Sequence, residues 1–163
     1  MNEKNILVLG AGPGGYAAAF LAADLGMKVT MIDASPQLGG VCLHRGCIPS
    51  KTLLHLAKLI SETRQAKALG LDFGEPNIDL ASIRNWKNQV VNQMANGLLA
   101  LSKQRKVNLV AGHAVFKDSH TVIVSGKQEL TFDHAILATG SSPIMPKEFA
   151  SIKGLMDSTS ALE

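Results

Sequence analysis

A glycine-rich turn between a short apolar strand and a helix constrains the fold of this 163-residue chain more than any other feature. The turn, Gly10-Ala11-Gly12-Pro13-Gly14-Gly15, fits the pattern G-x-G-x-x-G. Residues 5–9 before it predict a buried parallel strand, residues 13–25 predict a helix, and residues 28–33 predict a second strand. Such a β-α-β unit of about thirty residues indicates an α/β fold built on a parallel sheet.

The glycines of this turn have distinct physical uses. Gly10 permits the tight turn, Gly12 lets the backbone approach a pyrophosphate, and Gly15 lets the helix pack closely on the strand. Pro13 suits the first helical turn, where a missing N–H costs nothing. Asp33, which lies 18 residues after Gly15, can accept hydrogen bonds from a ribose diol. The pattern predicts nucleotide binding, and by itself it does not separate FAD from NAD.

The only two cysteines, Cys42 and Cys47, lie in a glycine-containing segment just after the second strand. An ideal helix would separate them by about 7.5 Å along its axis and roughly 140° around it, whereas a disulfide needs Cα atoms within about 7 Å. Either the two are not bonded or the chain departs from a regular helix, for which Gly46 and Pro49 provide the means. The neighbouring cations favour a redox-active pair, and two inert core cysteines are the alternative.

The rest of the chain predicts a helical hairpin and a group of short strands. One helix is expected from about Ser50 to Lys67 and a second over 80–104, with Asp79 as its N-cap and Trp86 packed against the hairpin. Residues 34–41 and 70–78 are expected to be loops, and 142–163 holds no clear element. Short strands are predicted at residues 107–111, 113–117, 120–125, 129–132 and 134–138.

Composition narrows the functional classes. A hydrophobic content of 46% is enough for one domain with a core over residues 1–163, and no apolar run is long enough for a transmembrane helix. The net charge of +3 comes from scattered residues, which gives no nucleic-acid patch. No further ligands accompany the cysteines, so no metal site is expected. The first residues lead straight into a strand without a signal peptide, which predicts a cytoplasmic location.

With these two motifs in series, the chain resembles the flavin-dependent pyridine nucleotide–disulfide oxidoreductases, and within them the dihydrolipoamide dehydrogenases. The resemblance covers essentially all 163 residues and is carried by residues 10–15, 39–51, 138–141 and 157–162. It implies a Rossmann-like FAD-binding domain, incomplete within these residues, with a parallel sheet, a helical hairpin and a small antiparallel β-meander. The NAD-binding and dimer-interface domains of the family would lie outside residues 1–163.

The resemblance also implies roles for particular residues. Cys47 would contact the flavin ring, Cys42 would exchange with substrate sulfur, and Lys51 would lie near the reactive edge of the flavin. Asp33 would bind the adenosine ribose, at a position where the family usually has Glu, and Ala114 would lie on the adenine side. The implied FAD contacts are Gly10, Gly12, Pro13, Gly14, Gly15, Asp33, Ala34, Gly40, Val41, Cys42, Cys47, Lys51, Ala114, Thr139, Gly140 and Ser141.

The implied reaction is the oxidation of dihydrolipoamide, carried on a lipoyl domain of a 2-oxo acid dehydrogenase complex. Electrons would pass through a Cys42–Cys47 disulfide and FAD to NAD, in an enzyme that is a homodimer. Residues 1–163 alone are not expected to turn over, because the family's NAD site and general base lie outside them. The alternatives are a mercuric reductase-like flavoprotein, an ordinary NAD-dependent dehydrogenase, and a non-enzymatic nucleotide-binding thiol switch.

Overall fold

A computed structural model describes residues 4–149 and 151–163 of the chain. Within them the chain forms two compact units. The first contains the described residues up to Leu43 together with Met94–Ser142, and the second contains those of His44–Gln93 and Pro143–Glu163. The prediction that residues 1–163 form a single domain stays a prediction.

The β-α-β unit at the start of the chain has the predicted order. Strand β1 (Asn5–Leu9) is followed by helix α1 (Pro13–Asp24) and strand β2 (Lys28–Asp33), and β2 pairs in parallel with all five residues of β1. The run Ile6–Leu9 is apolar and at most 8% exposed, as a central parallel strand requires. The chain turns from α1 into β2 at Gly26, whose φ of +82° favours glycine.

Five more strands follow, each within one residue of its predicted bounds at both ends. Two of them extend the parallel sheet on either side of the β-α-β unit, in the order β3-β2-β1-β7. The other three form a separate antiparallel meander in the order β4-β5-β6. The five strands are β3 (Asn108–Ala111), β4 (Ala114–Phe116), β5 (Thr121–Val124), β6 (Gln128–Thr131) and β7 (His134–Leu137).

Alternate residues of β1 face two different hydrophobic cores, because successive side chains of a strand point to opposite faces. Ile6 and Val8 lie in a core with buried residues of α1. Leu7 and Leu9 lie in a second core with Phe132 and buried residues of β5. The parallel sheet is therefore covered by α1 on one face and by the meander on the other, and the functional site forms at the ends of its strands.

Three helices lie between β2 and β3: α2 (Gly40–Arg45), α3 (Cys47–Ala66) and α4 (Leu80–Gln104). The predicted loop over 34–41 was too long, since α2 already begins at Gly40. The predicted start of α3 was three residues too late. Gly46, with φ −148° and ψ −110°, breaks the helix between the two cysteines. Pro49 is tolerated in the first turn of α3, where backbone N–H groups have no partner within the helix.

In the second unit, α3 and the part of α4 up to Gln93 form the predicted helical hairpin. The rings of His55 and Trp86 approach to 6.2 Å between centroids, which places the only tryptophan against α3. The ammonium of Lys87, which is 7% exposed, donates to the Leu162 carbonyl.

The segment predicted to lack a clear element contains two short 3-10 turns, Lys147–Phe149 and Ser160–Leu162. No helix among the described residues is long and apolar enough to cross a membrane.

Asp79 caps α4 as the sequence predicts, and its loss should destabilise the hairpin. Its carboxylate accepts the N–H groups of Ala81 (2.9 Å) and Ser82 (3.2 Å) and the Ser82 hydroxyl (2.6 Å). We expect Asp79→Ala to lower the melting temperature by about 2–4 °C at pH 7, with Asp79→Asn, which keeps an acceptor oxygen, closer to the parent. Circular dichroism melts of the three proteins measure this difference.

The same cap should depend on pH. Hydrogen bonds from the Ser82 hydroxyl and backbone N–H lower the pKa of Asp79 from its ordinary value of 3.8. A carboxyl whose pKa is lower in the folded state stabilises the fold fully above the unfolded value, and this stability is lost as the pH falls through the folded pKa. The Asp79→Ala and parent melting temperatures should therefore converge below pH 3.8. A gap that stays constant on acidification would contradict this account of the cap.

Candidate cofactor site and thiol segment

The glycine turn connects β1 to α1 so closely that two of its glycines cannot be replaced. A Cβ on Gly10, whose φ is +102°, would lie 2.1 Å from the Ala138 carbonyl oxygen. A Cβ on Gly15 would lie 1.7 Å from the carbonyl oxygen of Gly10. The Gly10 N–H donates to the Ile32 carbonyl at 2.8 Å, which ties the turn to β2. These two glycines are required by the packing of the chain on itself.

Gly12 differs, because the packing of the protein does not demand a glycine there. A Cβ on Gly12 would meet no heavy atom nearer than the Gly40 Cα at 3.9 Å, and its φ of −74° suits any residue. Gly12 is the N-cap of α1 without a side-chain cap, and Pro13 occupies the first turn. The first N–H groups of α1, including that of Gly14, therefore face a space that a ligand's anionic group can enter.

A second pair of glycines packs against this turn. The Gly39 N–H donates to the Ala11 carbonyl at 2.9 Å. Gly40 has a φ of +59°, and a Cβ on it would lie 2.6 Å from the Gly12 Cα. The chain at the start of α2 therefore packs closely against the glycine turn, with Val41 next along it and 51% exposed. The role predicted for Gly40 and Val41 beside a cofactor stays a prediction.

A cavity of about 250 Å³ opens at the carboxyl ends of the parallel strands, where ligands bind in open α/β sheets. It brings together five of the predicted cofactor contacts, from the ends of β1 and β2, the start of β4 and the chain after β7. These are Gly10, Asp33, Ala34, Ala114 and Thr139. Gly140 and Ser141 are exposed, follow Thr139 directly, and do not line the cavity.

Four residues that line this cavity were not among the predicted cofactor contacts: Leu9, Ile32, Gly112 and His113. Gly112 has a φ of +151° and donates its N–H to the Asp33 carbonyl at 2.8 Å, so it fixes the chain that leaves β3 beside the end of β2. A signal was present in the sequence, since Gly112 directly follows the strand predicted over 107–111, and ligands bind beyond the carboxyl ends of strands in a parallel sheet. To place Gly112 beside Asp33, however, one must know that β3 pairs with β2, and the sequence did not predict that pairing.

The carboxylate of Asp33 is fixed by two backbone groups. One oxygen accepts the N–H of Ala11 at 2.6 Å, and the other accepts the N–H of Ser35 at 2.7 Å. Asp33 therefore holds the glycine turn against the end of β2. Each carboxylate oxygen retains a lone pair, so the same group can also accept a ribose hydroxyl.

We expect Asp33→Ala to weaken both the fold and nucleotide binding. The substitution leaves the N–H groups of Ala11 and Ser35 without their acceptors, which should lower the free energy of unfolding by about 1–3 kcal/mol. Asp33→Asn keeps one acceptor oxygen and should lie between Ala and the parent. Urea unfolding and titration of FAD measure the two effects. An Asp33→Ala protein as stable as the parent would show that the two hydrogen bonds do not secure the turn.

The thiol segment begins where this glycine pair ends. Cys42 is a half-buried thiol in α2, and Cys47 is an exposed thiol at the first position of α3. No side chain caps α3, so the first N–H groups of this helix are left for an anion, which favours a reactive sulfur at its start. Lys51, one turn further along α3, is exposed. The two cysteines are not joined by a disulfide in this structure, and the chain also departs from a regular helix at Gly46. Both alternatives drawn from the spacing are therefore present.

These features define a Rossmann-like dinucleotide-binding domain with a thiol pair directly after its glycine turns. The space beside Gly12, the bare amino end of α1 and the cavity at Asp33 fit the pyrophosphate and adenosine of such a cofactor. The chain belongs to the pyridine nucleotide-disulphide oxidoreductase family, whose sequence model matches residues 4–162.

Curated relatives and solved structures agree with this assignment. The chain is 48% identical to the dihydrolipoyl dehydrogenase of Vibrio cholerae over 99% of its own length and 35% of the relative's. It is 45% identical to that of Buchnera aphidicola over 88% and 32% of the two chains. The HOCl-induced flavoprotein disulfide reductase RclA of Escherichia coli superposes with a TM-score of 0.79 at 26% identity, covering 97% and 33%. The chain thus spans about a third of the length of these relatives.

The fold class predicted from the sequence is therefore confirmed. The parallel sheet, the helical hairpin and the small antiparallel meander are all present, and the fold is that of the FAD-binding domain of flavoprotein disulfide reductases.

Proposed function

We propose that these residues are the N-terminal FAD-binding portion of a dihydrolipoyl dehydrogenase. The observation that carries the proposal is the joint presence of a dinucleotide site and the Cys42–Cys47 segment within one family match. The identity of 42–48% to relatives named dihydrolipoyl dehydrogenase supports this substrate over the mercury-reducing alternative. Flavoprotein relatives favour FAD at the dinucleotide site over an ordinary NAD-dependent dehydrogenase.

The two thiols exchange disulfide bonds with the substrate. In the oxidised enzyme Cys42 and Cys47 form a disulfide, and one thiolate of dihydrolipoamide attacks the sulfur of Cys42 and releases Cys47 as a thiolate. The second substrate thiolate then displaces Cys42, so lipoamide leaves as a disulfide and two protons remain with the protein and solvent. FAD, when bound, accepts the two electrons of the dithiol and passes them to NAD⁺. Under this proposal, Cys47 at the start of α3 is the sulfur that contacts the flavin.

The other residues of the chain bind and orient the cofactor. The amino end of α1 and Gly12 hold the pyrophosphate, and Asp33 holds the adenosine ribose. When FAD is bound, Lys51 would supply a positive charge at the reactive edge of the flavin. The remaining contacts proposed are those implied by the family resemblance, including Gly40, Val41 and the segment 139–141.

The proposal includes the partners of the parent enzyme. These are a lipoyl domain of a 2-oxo acid dehydrogenase complex and a second identical subunit, in the cytoplasm. We do not expect residues 1–163 alone to turn over with dihydrolipoamide and NAD⁺. Their sequence contains one dinucleotide fingerprint, which the FAD site uses, so nothing in them supplies a second site for NAD⁺.

The visible absorbance spectrum of the purified chain tests the proposal. FAD is added, and dihydrolipoamide is then titrated in without oxygen. We expect a flavin spectrum that gains a long-wavelength charge-transfer band on partial reduction, because a thiolate then contacts the oxidised ring. A thiol switch without flavin shows no such band, and preferential binding of NAD would favour an ordinary dehydrogenase. A chain that binds FAD but never shows the band would contradict the assigned role of Cys47.

A further inference from the structure

A second cavity, of about 230 Å³, lies at the opposite end of the parallel sheet from the cofactor cavity. The amino ends of three strands line it, with Asn5 from β1, Lys28 from β2 and Asn108 from β3. Leu130 of β6 and the adjoining Phe132 line it from the meander side. It shares no residue with the cofactor cavity, and the proposed function assigns it no role.

The lining of this cavity is cationic at one side and apolar at another. Lys28 and Lys106 are exposed at its edge, and no Asp or Glu is among the described residues that line it. The nearby Asp133 carboxylate accepts the Asn5 N–H at 2.7 Å. Leu7 and Phe132, which are 1% and 8% exposed, provide apolar surface from the second hydrophobic core.

Two polar side chains in the cavity are arranged to donate hydrogen bonds. The amide nitrogen of Asn108 donates to the Thr30 hydroxyl oxygen at 3.3 Å. Because the hydroxyl oxygen acts as the acceptor in this contact, the O–H of Thr30 remains to donate to another group. The Asn108 amide carries a second N–H of the same kind. Two donors beside two ammonium groups match the acceptor oxygens of a phosphate or carboxylate.

Lys106 adopts a left-handed backbone conformation, which glycine usually adopts at the end of a helix. Its φ is +56°, and it lies just past the end of α4. The Lys106 N–H donates to the Lys103 carbonyl at 3.1 Å, and the Val107 N–H donates to the Ser102 carbonyl at 3.0 Å. This pair of bonds is a Schellman motif, in which the left-handed residue is usually glycine because a side chain there is strained.

We propose that this cavity binds a small organic anion, with Lys106 and Lys28 holding its phosphate or carboxylate group and Leu130 and Phe132 contacting its apolar body. The proposal explains why a lysine occupies a left-handed position at which glycine would stabilise the fold more. The strain places an ammonium group at the edge of a cavity that already carries a second cation and two hydrogen-bond donors. The cavity is smaller than those that take drug-sized ligands, so the anion is small.

Phenyl phosphate is the probe for the first test, with benzoate in a parallel titration to separate a phosphate ligand from a carboxylate. Two-dimensional NMR of the 15N-labelled chain follows backbone amides in both cavities. We expect saturable shifts at Asn5, Val29 and Asn108 with at least one of the two anions, and none with neutral benzyl alcohol. Shifts confined to the glycine turn over residues 12–15, or equal shifts with benzyl alcohol, would overturn the proposal.

Three lysine variants provide the second test. Lys106→Gly should raise the melting temperature by about 2–4 °C, because glycine relieves the left-handed strain, and should weaken binding of the anion at least about tenfold. Lys28→Gln should weaken binding by a similar factor. Lys127→Gln, which removes the same charge from an exposed turn outside the cavity, should leave affinity within about twofold. If Lys127→Gln weakens binding as much as the other two, the anion responds only to net charge and the proposed site is wrong.

Discussion

Gly12→Ala is expected to leave the fold intact and to weaken FAD binding at least about a hundredfold. The added methyl meets no heavy atom of the protein nearer than 3.9 Å, and a φ of −74° suits alanine. Alanine also reduces the freedom of the unfolded chain, so the melting temperature should stay the same or rise slightly. The methyl does, however, occupy the space through which a pyrophosphate approaches the amino end of α1. Titration of flavin fluorescence and a thermal melt measure the two quantities on one sample.

Gly15→Ala, three residues further along, is the matched control with the opposite pattern. Its Cβ would lie 1.7 Å from the backbone carbonyl oxygen of Gly10, which no side-chain rotation can relieve. α1 must then move away from β1, and we expect the melting temperature to fall by about 10 °C or more. A Gly12→Ala protein that binds FAD as tightly as the parent would show that the ligand does not approach this face of the turn. Similar losses of stability in both variants would contradict the claim that Gly15 is required for packing whereas Gly12 is required only for the approach of a ligand.

The parts of the fold that could be predicted from the sequence are those fixed by local patterns. The apolar run Ile6–Leu9 and the glycines around it define β1 and its turn, whatever the rest of the chain does. The N-terminal cap of α4 could be predicted for the same reason, since Asp79 accepts hydrogen bonds from groups two and three residues away. The bounds of the strands after Val107 were predicted to within one residue, because glycine and other turn-forming residues separate these strands. In each case the deciding interaction lies within a few residues of the pattern.

The features that escaped prediction depend on contacts between distant segments. α2 was not predicted from the sequence. It begins at Gly40, and the Gly39–Gly40 pair is held against Ala11 and Gly12 by backbone contact. The bond from Asp33 to Ala11 spans 22 residues and requires β1 and β2 to be paired. Gly112 joins the cofactor cavity only because β3 lies beside β2. Sequence patterns identify such residues individually, but the sheet order decides which of them meet.

The two cysteines should give different and diagnostic results when each is replaced by serine in the chain supplied with FAD. Under the proposed function, Cys47→Ser removes the sulfur that contacts the flavin, so the long-wavelength band should be absent at every stage of a dihydrolipoamide titration. Cys42→Ser keeps that sulfur as a thiol that cannot form a disulfide. Its band should therefore be present before any dithiol is added. Both variants should slow reduction of the flavin by dihydrolipoamide at least about a thousandfold, because neither can form the disulfide that the substrate attacks.

The positions of the two residues in the structure explain why these outcomes should differ. Cys47 is exposed at the first position of α3, whose amino end has no side-chain cap. Cys42 lies in the preceding short helix, across the break at Gly46, two residues after the Gly39–Gly40 pair that packs on the glycine turn. If instead Cys42→Ser abolishes the band and Cys47→Ser retains it, the two roles are exchanged. If neither serine variant changes the spectrum, the thiols take no part in flavin chemistry and the nucleotide-binding thiol switch becomes the better account.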